Sequence, residues 1–450
     1  MPDALHRINY SGAPKAGRIF HRNGPLHMRQ TPEFWIDRCR APDTVLMPPE
    51  AIEAFNRDAY ARDPSLVDLA HFSRQLSAAD VQARIEATSR RPAMALRHAD
   101  GSEVTEADWQ GYQAACNPGG VDDTVDVVFA MAHLRADMRT WPSADVVFRD
   151  EETRHLDRFQ ENTLFPGDVV AVLHRSQDGQ WLFVQSHNYA AWVLVGSLAT
   201  GDRADMLAWR DAPERVVVTA AFVDAQFNEP EHDRGALALE MGASLPICQG
   251  GEEGAGRWPV RLPVADSAGG LAFADAFLPA TEGVRRGWLP YTRRHLVELA
   301  FRFLGEPYGW GHSRNARDCT GLVSEVYRAM GFVLPRNSAQ QGHSPIGINT
   351  RFAEDATVAE KLEHIRGADV GDLLYSTGHV MMFLGLVDNE PWVIHDLAGA
   401  GWMDDEGQYH EREFSGVSVT PLVSLHMSRD VTYLDEMYAI KSIRAGVGES

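Results

Sequence analysis

Residues 317–322, Arg317-Asp318-Cys319-Thr320-Gly321-Leu322, stand where the glycine-rich stretch Tyr308-Gly309-Trp310-Gly311-His312-Ser313 gives way to an amphipathic run. Asp318 is a strong N-cap residue, so Cys319 falls in the first turn of a helix. Leu322, Val323, Val326, Tyr327 and Met330 then form one apolar stripe, and Gly331 ends it. Unpaired N–H groups at a helix start stabilise a thiolate, and a free thiol pKa of about 8.5 can fall there to roughly 3.5–7.5. The reading therefore predicts a thiol nucleophile at Cys319, and a nucleophile needs a base.

Two histidines supply candidates. His379 begins a strand, Gly378-His379-Val380-Met381-Met382, and His395 ends the next, Trp392-Val393-Ile394-His395. A turn around Val387-Asp388-Asn389 sets the two imidazoles opposite one another on the same face of an antiparallel pair. One imidazole then takes the thiol proton while the other holds it in the right tautomer. His312, His343, His364 and His410 read as ordinary surface or core histidines.

The chain has 450 residues, 44% of them hydrophobic, which is enough for several cores. Its formal net charge of −21 argues against a nucleic-acid partner, which requires clustered Lys and Arg. No apolar run reaches the roughly 18–20 residues of a membrane helix, and Met1-Pro2-Asp3-Ala4-Leu5-His6-Arg7 lacks the apolar core of a secretion signal, so either a leader was removed or the protein stays inside the cell. The four cysteines, Cys39, Cys116, Cys248 and Cys319, form no C-x-x-C pair, which speaks against a zinc ribbon or a disulfide framework. Cys39 and Cys116 are expected to point into cores, and Cys248, after a strand-like Leu245-Pro246-Ile247, to be structural. No metal or cofactor is expected.

Four units are expected along the chain. Residues 1–140 read as a mainly helical or irregular segment that wraps its neighbours, with capping-box-like starts at Ser77–Asp80 and Thr105–Asp108. Residues 141–202 read as a small β-barrel, marked by Val170 and Val172, the Asp178-Gly179 turn, Trp181–Val184 and Ala191–Leu194. Residues 203–290 read as a second, more divergent barrel with strands at Val216–Val223, Leu237–Leu239, Trp258–Leu262 and Gly287–Leu289, interrupted by the loop Gly250–Gly256. Residues 291–450 have a helical front, from an N-cap at Thr292 through Leu304, and a strand-rich back, which makes an α+β domain.

Six ordered motifs then carry a resemblance: Tyr308-Gly309-Trp310-Gly311, Asp318-Cys319-Thr320-Gly321-Leu322-Val323, Leu334-Pro335-Arg336-Asn337-Ser338-Ala339-Gln340, Gly371-Asp372-Leu373, Gly378-His379-Val380 and Ile394-His395. Together they resemble the NlpC family of papain-like cell-wall cysteine peptidases, over about residues 291–445. The units before them resemble bacterial SH3 domains and a clip-like N-terminal region. The implied fold is α+β, a papain-like NlpC domain preceded by two SH3-like β-barrels.

The resemblance implies hydrolysis of the γ-D-glutamyl to diamino-acid bond, with meso-diaminopimelate as the expected diamino acid, in peptidoglycan stem peptides or muropeptide fragments. It implies Cys319 as nucleophile, His379 as general base and His395 as its orienter. The backbone N–H of Cys319, with Tyr308, is the candidate oxyanion site. A preference for stems with a free L-Ala amine follows from the first barrel closing the far end of the cleft. Asp318, Asp168 and Tyr189 are the candidate amine ligands, and Ser338 a contact to the substrate backbone. A monomer acting in the cell envelope is expected, with cytoplasmic recycling of wall peptides as the alternative. An inactive wall-binding scaffold and an acyltransferase using the same cysteine are the competing functions. The chain departs from the family pattern in having His312 where a second glycine is usual, and in a longer hairpin between the two histidines.

Overall fold

Two helices of the N-terminal segment start at the expected capping residues, Ser77 and Thr105, and a third, opened by Pro48, was not expected. In the computed structural model, which describes residues 29–228, 235–248, 256–404, 406–412 and 416–444, α1 spans Pro49–Arg62, α2 Ala78–Thr88 and α3 Glu106–Ala115. Ser77 Oγ accepts from the Asp80 N–H, and Thr105 and Asp108 form a reciprocal capping box. The opening residues Met1–Arg7 and most of the Gly250–Gly256 loop lie outside the described residues.

The segment spreads over two cores. Trp109 and Tyr112 of α3 pack edge-on against Phe159 with ring centroids 6.1 and 5.0 Å away. At its other end, Trp35 meets Trp392 at 6.0 Å, and the Asn56 side chain donates to Gly331 O at 2.8 Å.

A seven-stranded antiparallel sheet follows: β1 Val128–Ala132, β2 Ala136–Arg139, β3 Gln160–Leu164, β4 Val169–Arg175, β5 Trp181–Gln185, β6 Ala190–Leu194 and β7 Leu198–Gly201. The strand order β7-β1-β4-β5-β6-β2-β3 leaves the sheet open at β7 and β3. It begins at Val128, upstream of the expected boundary at 141. The strands at 128–139 escape a reading by alternation because β1 is buried on both faces after Val128, so no polar and apolar period marks it. The next unit has two sheets, one of three strands (Ser244–Pro246, Arg215–Val218, Val284–Arg286) and one of four (Ala236–Glu240, Phe222–Phe227, Leu271–Pro279, Arg257–Ala265). Its last strand is Val284–Arg286 rather than the expected Gly287–Leu289.

The C-terminal unit opens with α4, Arg293–Phe301, capped by Thr292 Oγ1. Next comes α5, Cys319–Arg328, packed on an antiparallel sheet. That sheet has β8 Ile348–Arg351, β9 Leu373–Ser376, β10 His379–Val387, β11 Glu390–Leu397, β12 Gly416–Pro421 and β13 Met437–Ser442, in the order β8-β13-β9-β10-β11-β12. Leu322, Val323, Val326 and Tyr327 are fully buried, facing Val380, Met382 and Ile394 in one core. Each such side chain contributes roughly 1.5–3 kcal/mol by leaving water.

Cys116 is buried, as expected, but Cys39 is not a core residue. The helix that carries Trp35 stops at Ile36, so Cys39 leaves its apolar face and is only half-buried.

Candidate active site

The first turn of α5 is built around Asp318. Its Oδ1 accepts from Gly321 N and Thr320 Oγ1, both at 2.8 Å, and its Oδ2 accepts from Gly311 N at 3.1 Å. Arg336 completes the set, donating from Nη2 to Asp318 Oδ2 at 2.6 Å and from Nε to Asn162 Oδ1 at 2.6 Å. Burial alone would raise the Asp318 carboxyl, but the Arg336 guanidinium outweighs it and holds the group well below the usual carboxylate range. Gly321 is required here because an added Cβ would lie 2.6 Å from the His312 ring.

Cys319 sits in the turn so formed, buried beside the N–H of Val380, which bonds the sulfur. The expected drop in its pKa does not occur. Burial pushes the thiol up to about 12, the Asp318 carboxylate adds to the rise, and the Val380 N–H offsets only part of it. The residue that caps the helix thus also opposes a negative charge on the sulfur. Iodoacetamide modification of Cys319 is therefore expected to quicken by about tenfold per pH unit between pH 6 and 9. A plateau beginning below pH 7 would contradict this.

His379 and His395 meet as the sequence predicts, with His379 Nε2 and His395 Nδ1 3.0 Å apart, but the register differs. The turn is two residues, Asp388-Asn389, both with positive φ, which suits a tight hairpin. A bulge between Phe383 and Gly385 then shifts the pairing by one, and Gly385, at φ 136°, supplies the conformation it needs. The imidazoles are consequently diagonal neighbours on one face rather than directly opposed.

Thr420, on β12, adds a contact that sequence reading missed: its Oγ1 lies 2.9 Å from His395 Nε2. With His379 Nε2–H donating to His395 Nδ1, and His395 Nε2–H donating to Thr420 Oγ1, the Nδ1 of His379 keeps its lone pair and can take a proton. The other tautomer would leave no base. Burial depresses His379 to about 3, so the ring is neutral at working pH.

His312, His379 and His395 are all buried, and burial lowers the pKa of each. Their contribution to stability is therefore fully present above the unfolded value of about 6.5 and is lost as pH falls toward the folded values. Each can remove up to about 1.4 kcal/mol per pH unit. A urea midpoint that declines from pH 6.5 to 4.5, with a shallower decline in His312→Asn, is the expected outcome. Asn tolerates the left-handed φ of 62° at that position.

The other candidates divide. Tyr308 is half-buried, and its hydroxyl is raised first by burial and then by the nearby Cys319. Tyr189 donates to Glu161 Oε2 at 2.7 Å, and both line a cavity of about 670 Å³ with Trp310 and Asn337. Ser338 opens the short helix Ser338–His343, and its carbonyl accepts from Tyr438 at 3.3 Å. Asp168 stands apart from this cavity: it accepts from Phe165 N at 2.8 Å within its own turn and from Arg328 at 3.3 Å. Glu161 is the carboxylate that lines the cavity instead. No strand was expected at 160–164, so nothing in the sequence marked it. Asp396 was also missed. It is fully buried, and neither carboxylate oxygen finds a hydrogen-bond partner among the described residues; burial pushes its carboxyl well above the usual range. The described residues hold no cluster of three or more His, Cys, Asp or Glu able to bind a metal, and no helix among them is long and apolar enough to cross a membrane.

Two segments of the chain match known families. Residues 305–432 match the NlpC/P60 family and residues 147–194 the SH3 domain of the SH3b1 type. Two probable endopeptidases of Corynebacterium glutamicum are each 43% identical over 51 residues, which is 11% of this chain and 24% of theirs. The match thus spans about a quarter of the curated relatives' length. The fold is similar to that of an NlpC/P60 endopeptidase from Photobacterium damselae subsp. piscicida, with a TM-score of 0.69 at 15% identity over 90% of this chain and 95% of that one.

Proposed function

We propose, from its NlpC/P60 domain as the premise, that this chain is a cysteine endopeptidase of cell-wall peptides that cuts the γ-D-glutamyl to diamino-acid bond. The observation that carries the reading is the Cys319 thiol at a helix start, bonded by the N–H of Val380, the neighbour in sequence of a His379 whose Nε2 is engaged by His395 at 3.0 Å. In this mechanism the resting thiol and imidazole are both neutral. The sulfur attacks the γ-carbonyl carbon as its proton passes to His379 Nδ1, and the S–C bond forms while the carbonyl π-bond becomes an oxyanion. The Cys319 N–H and the Tyr308 OH are assigned to stabilise that charge. Collapse breaks the C–N bond, the imidazolium protonates the departing amine, and water hydrolyses the thioester by the reverse proton path.

The stem's N-terminal ammonium is assigned to Glu161 and Tyr189, with Ser338 contacting the peptide backbone. Asp318 is left to capping, since its oxygens are already engaged by Arg336, Gly321 and Gly311. A wall-derived substrate puts the enzyme's work in the envelope, or on recycled fragments inside the cell.

The test is mass spectrometry of products from the tripeptide stem L-Ala-γ-D-Glu-meso-diaminopimelate. Release of L-Ala-γ-D-Glu and free diamino acid is expected, and an intact stem would overturn the reading. Acetylating the stem's N-terminus is expected to cut kcat/KM at least about tenfold, equivalent to roughly 1.4 kcal/mol. Equal rates would remove the ammonium site but leave the peptidase.

A further inference from the structure

His379 touches two rings, of which His395 is only one. The other is Tyr433, whose ring centroid lies 5.2 Å from that of the imidazole, with the planes inclined by 65°. His395 stands at 5.3 Å and 61°. Tyr433 is buried in the turn that joins the short strand Val431–Thr432 to β13.

That turn holds the ring in place. Tyr433 N donates to Leu425 O at 3.1 Å, and Tyr433 O accepts from Ser376 Oγ at 2.7 Å. Ser376 is the residue directly opposite His379 in the β9–β10 ladder, so the tie fixes Tyr433 to the rung that carries the imidazole. The buried Lys361 then pins the next two carbonyls, donating to Leu434 O at 3.0 Å and to Asp435 O at 2.7 Å. Charge-assisted bonds to two successive carbonyls leave the turn little freedom to swing away.

What a second ring does for a histidine follows from its protonation. The charge that acts on His379 is Asp318 on α5, and Arg336 already holds that carboxylate. His395 faces the imidazole from β11 and Tyr433 from the turn, and neither brings a charge, since burial lowers His395 and raises Tyr433. Burial is thus the largest influence on His379 and depresses it to about 3. Tyr433 contributes to that burial by occupying the space beside the ring. An imidazole open to water on that side would gain a proton near its ordinary value of about 6.5 and cease to be a base.

We infer that Tyr433 is a positioning residue for the general base: its ring keeps water from the His379 imidazole and holds it in the orientation in which Nε2 meets His395. This rests on the endopeptidase reading above. The consequence is a base that stays free to accept a proton in mildly acidic surroundings.

The experiment uses the full chain and two variants, Tyr433→Phe, which keeps the ring, and Tyr433→Ala, which opens a space beside the imidazole. On the tripeptide stem, the wild type and Tyr433→Phe are expected to hold kcat/KM level within about twofold from pH 7 to pH 5. In Tyr433→Ala, kcat should fall at least about tenfold at pH 7 with KM changed by less than about threefold. Below about pH 6.5 its kcat/KM should drop by about tenfold per pH unit. A merely structural role would lower the urea midpoint but leave the acid limb where it is in the wild type. Should Tyr433→Ala fail to fold, Tyr433→Gln, which fills more of the space with a polar group, serves in its place. Without substrate, the Cε1–H proton resonance of His379, identified by its loss in His379→Gln, should stay unchanged between pH 7 and pH 5 in the wild type and titrate in Tyr433→Ala. The assignment is overturned by a wild-type resonance that titrates near pH 6.5, by a Tyr433→Ala enzyme with the wild type's acid limb and resonance, or by a Tyr433→Phe enzyme as impaired as Tyr433→Ala. Each of these leaves the peptidase standing. If the wild type cleaves no stem, the peptidase reading falls, and the resonance alone decides on Tyr433.

Discussion

Cys319→Ala is expected to lower kcat/KM on the tripeptide stem by about four orders of magnitude or more, the scale seen when a nucleophile is removed from an acyl-transfer site. None of the other thiols among the described residues stands at a helix start beside the two histidine strands. Cys116 is buried in a separate core, with its thiol pushed up to about 11 by burial, and Cys248 is raised by burial as well. Cys248→Ala should therefore retain near-wild-type activity. Because Cys319 is buried in the main core of the C-terminal unit, the small Ala also probes packing, so the urea midpoint is measured beside the rate. A Cys319→Ala enzyme with an intact fold and undiminished turnover would rule out covalent catalysis by this residue.

Arg336→Met is expected to produce the largest loss of stability, about 3–5 kcal/mol, because it strands Asp318 as an uncompensated buried charge. Both groups are nearly inaccessible, Arg336 at 5% and Asp318 at 7% exposure, so water cannot replace the guanidinium. The loss should concentrate in the unit that carries α5. Pulsed alkylation of the buried Cys319 across a urea series would read it there. The same substitution removes the bond to Asn162 of β3, so the first sheet and the C-terminal unit should also unfold less cooperatively. A midpoint shift worth under about 1 kcal/mol would mean that Asp318 is hydrated or protonated in the variant. The double variant Arg336→Met with Asp318→Asn should recover part of the loss, since it removes the stranded charge.

Much of the site was legible because it is written in short-range patterns. The cap at Asp318, the stripe from Leu322 to Met330 and the two strands carrying His379 and His395 each depend on residues within a few positions of one another. The hairpin was placed correctly, although its register was not. A bulge at Gly385 depends on φ 136° and on close packing against Trp35, which a count of residues between two histidines does not register. Asp168 was a reasonable candidate for the ammonium, being an acid in a turn of the first sheet unit. Glu161 faces the cavity instead because β3, which has no alternating signature, runs along the Trp310 loop.

By itself, the sequence determined that a cysteine opens a buried amphipathic helix, that two histidines share a hairpin face, and that sheet units precede them. Only the tertiary structure decided how those groups are charged and paired: a thiol raised by burial, Arg336 on Asp318, Thr420 behind His395 and Glu161 on the cavity wall. Helix caps and apolar periods are set by neighbours in the chain. Protonation and ion pairing are set by loss of water and by partners from distant segments, such as 318 with 336 and 395 with 420, which come together only when the cores close.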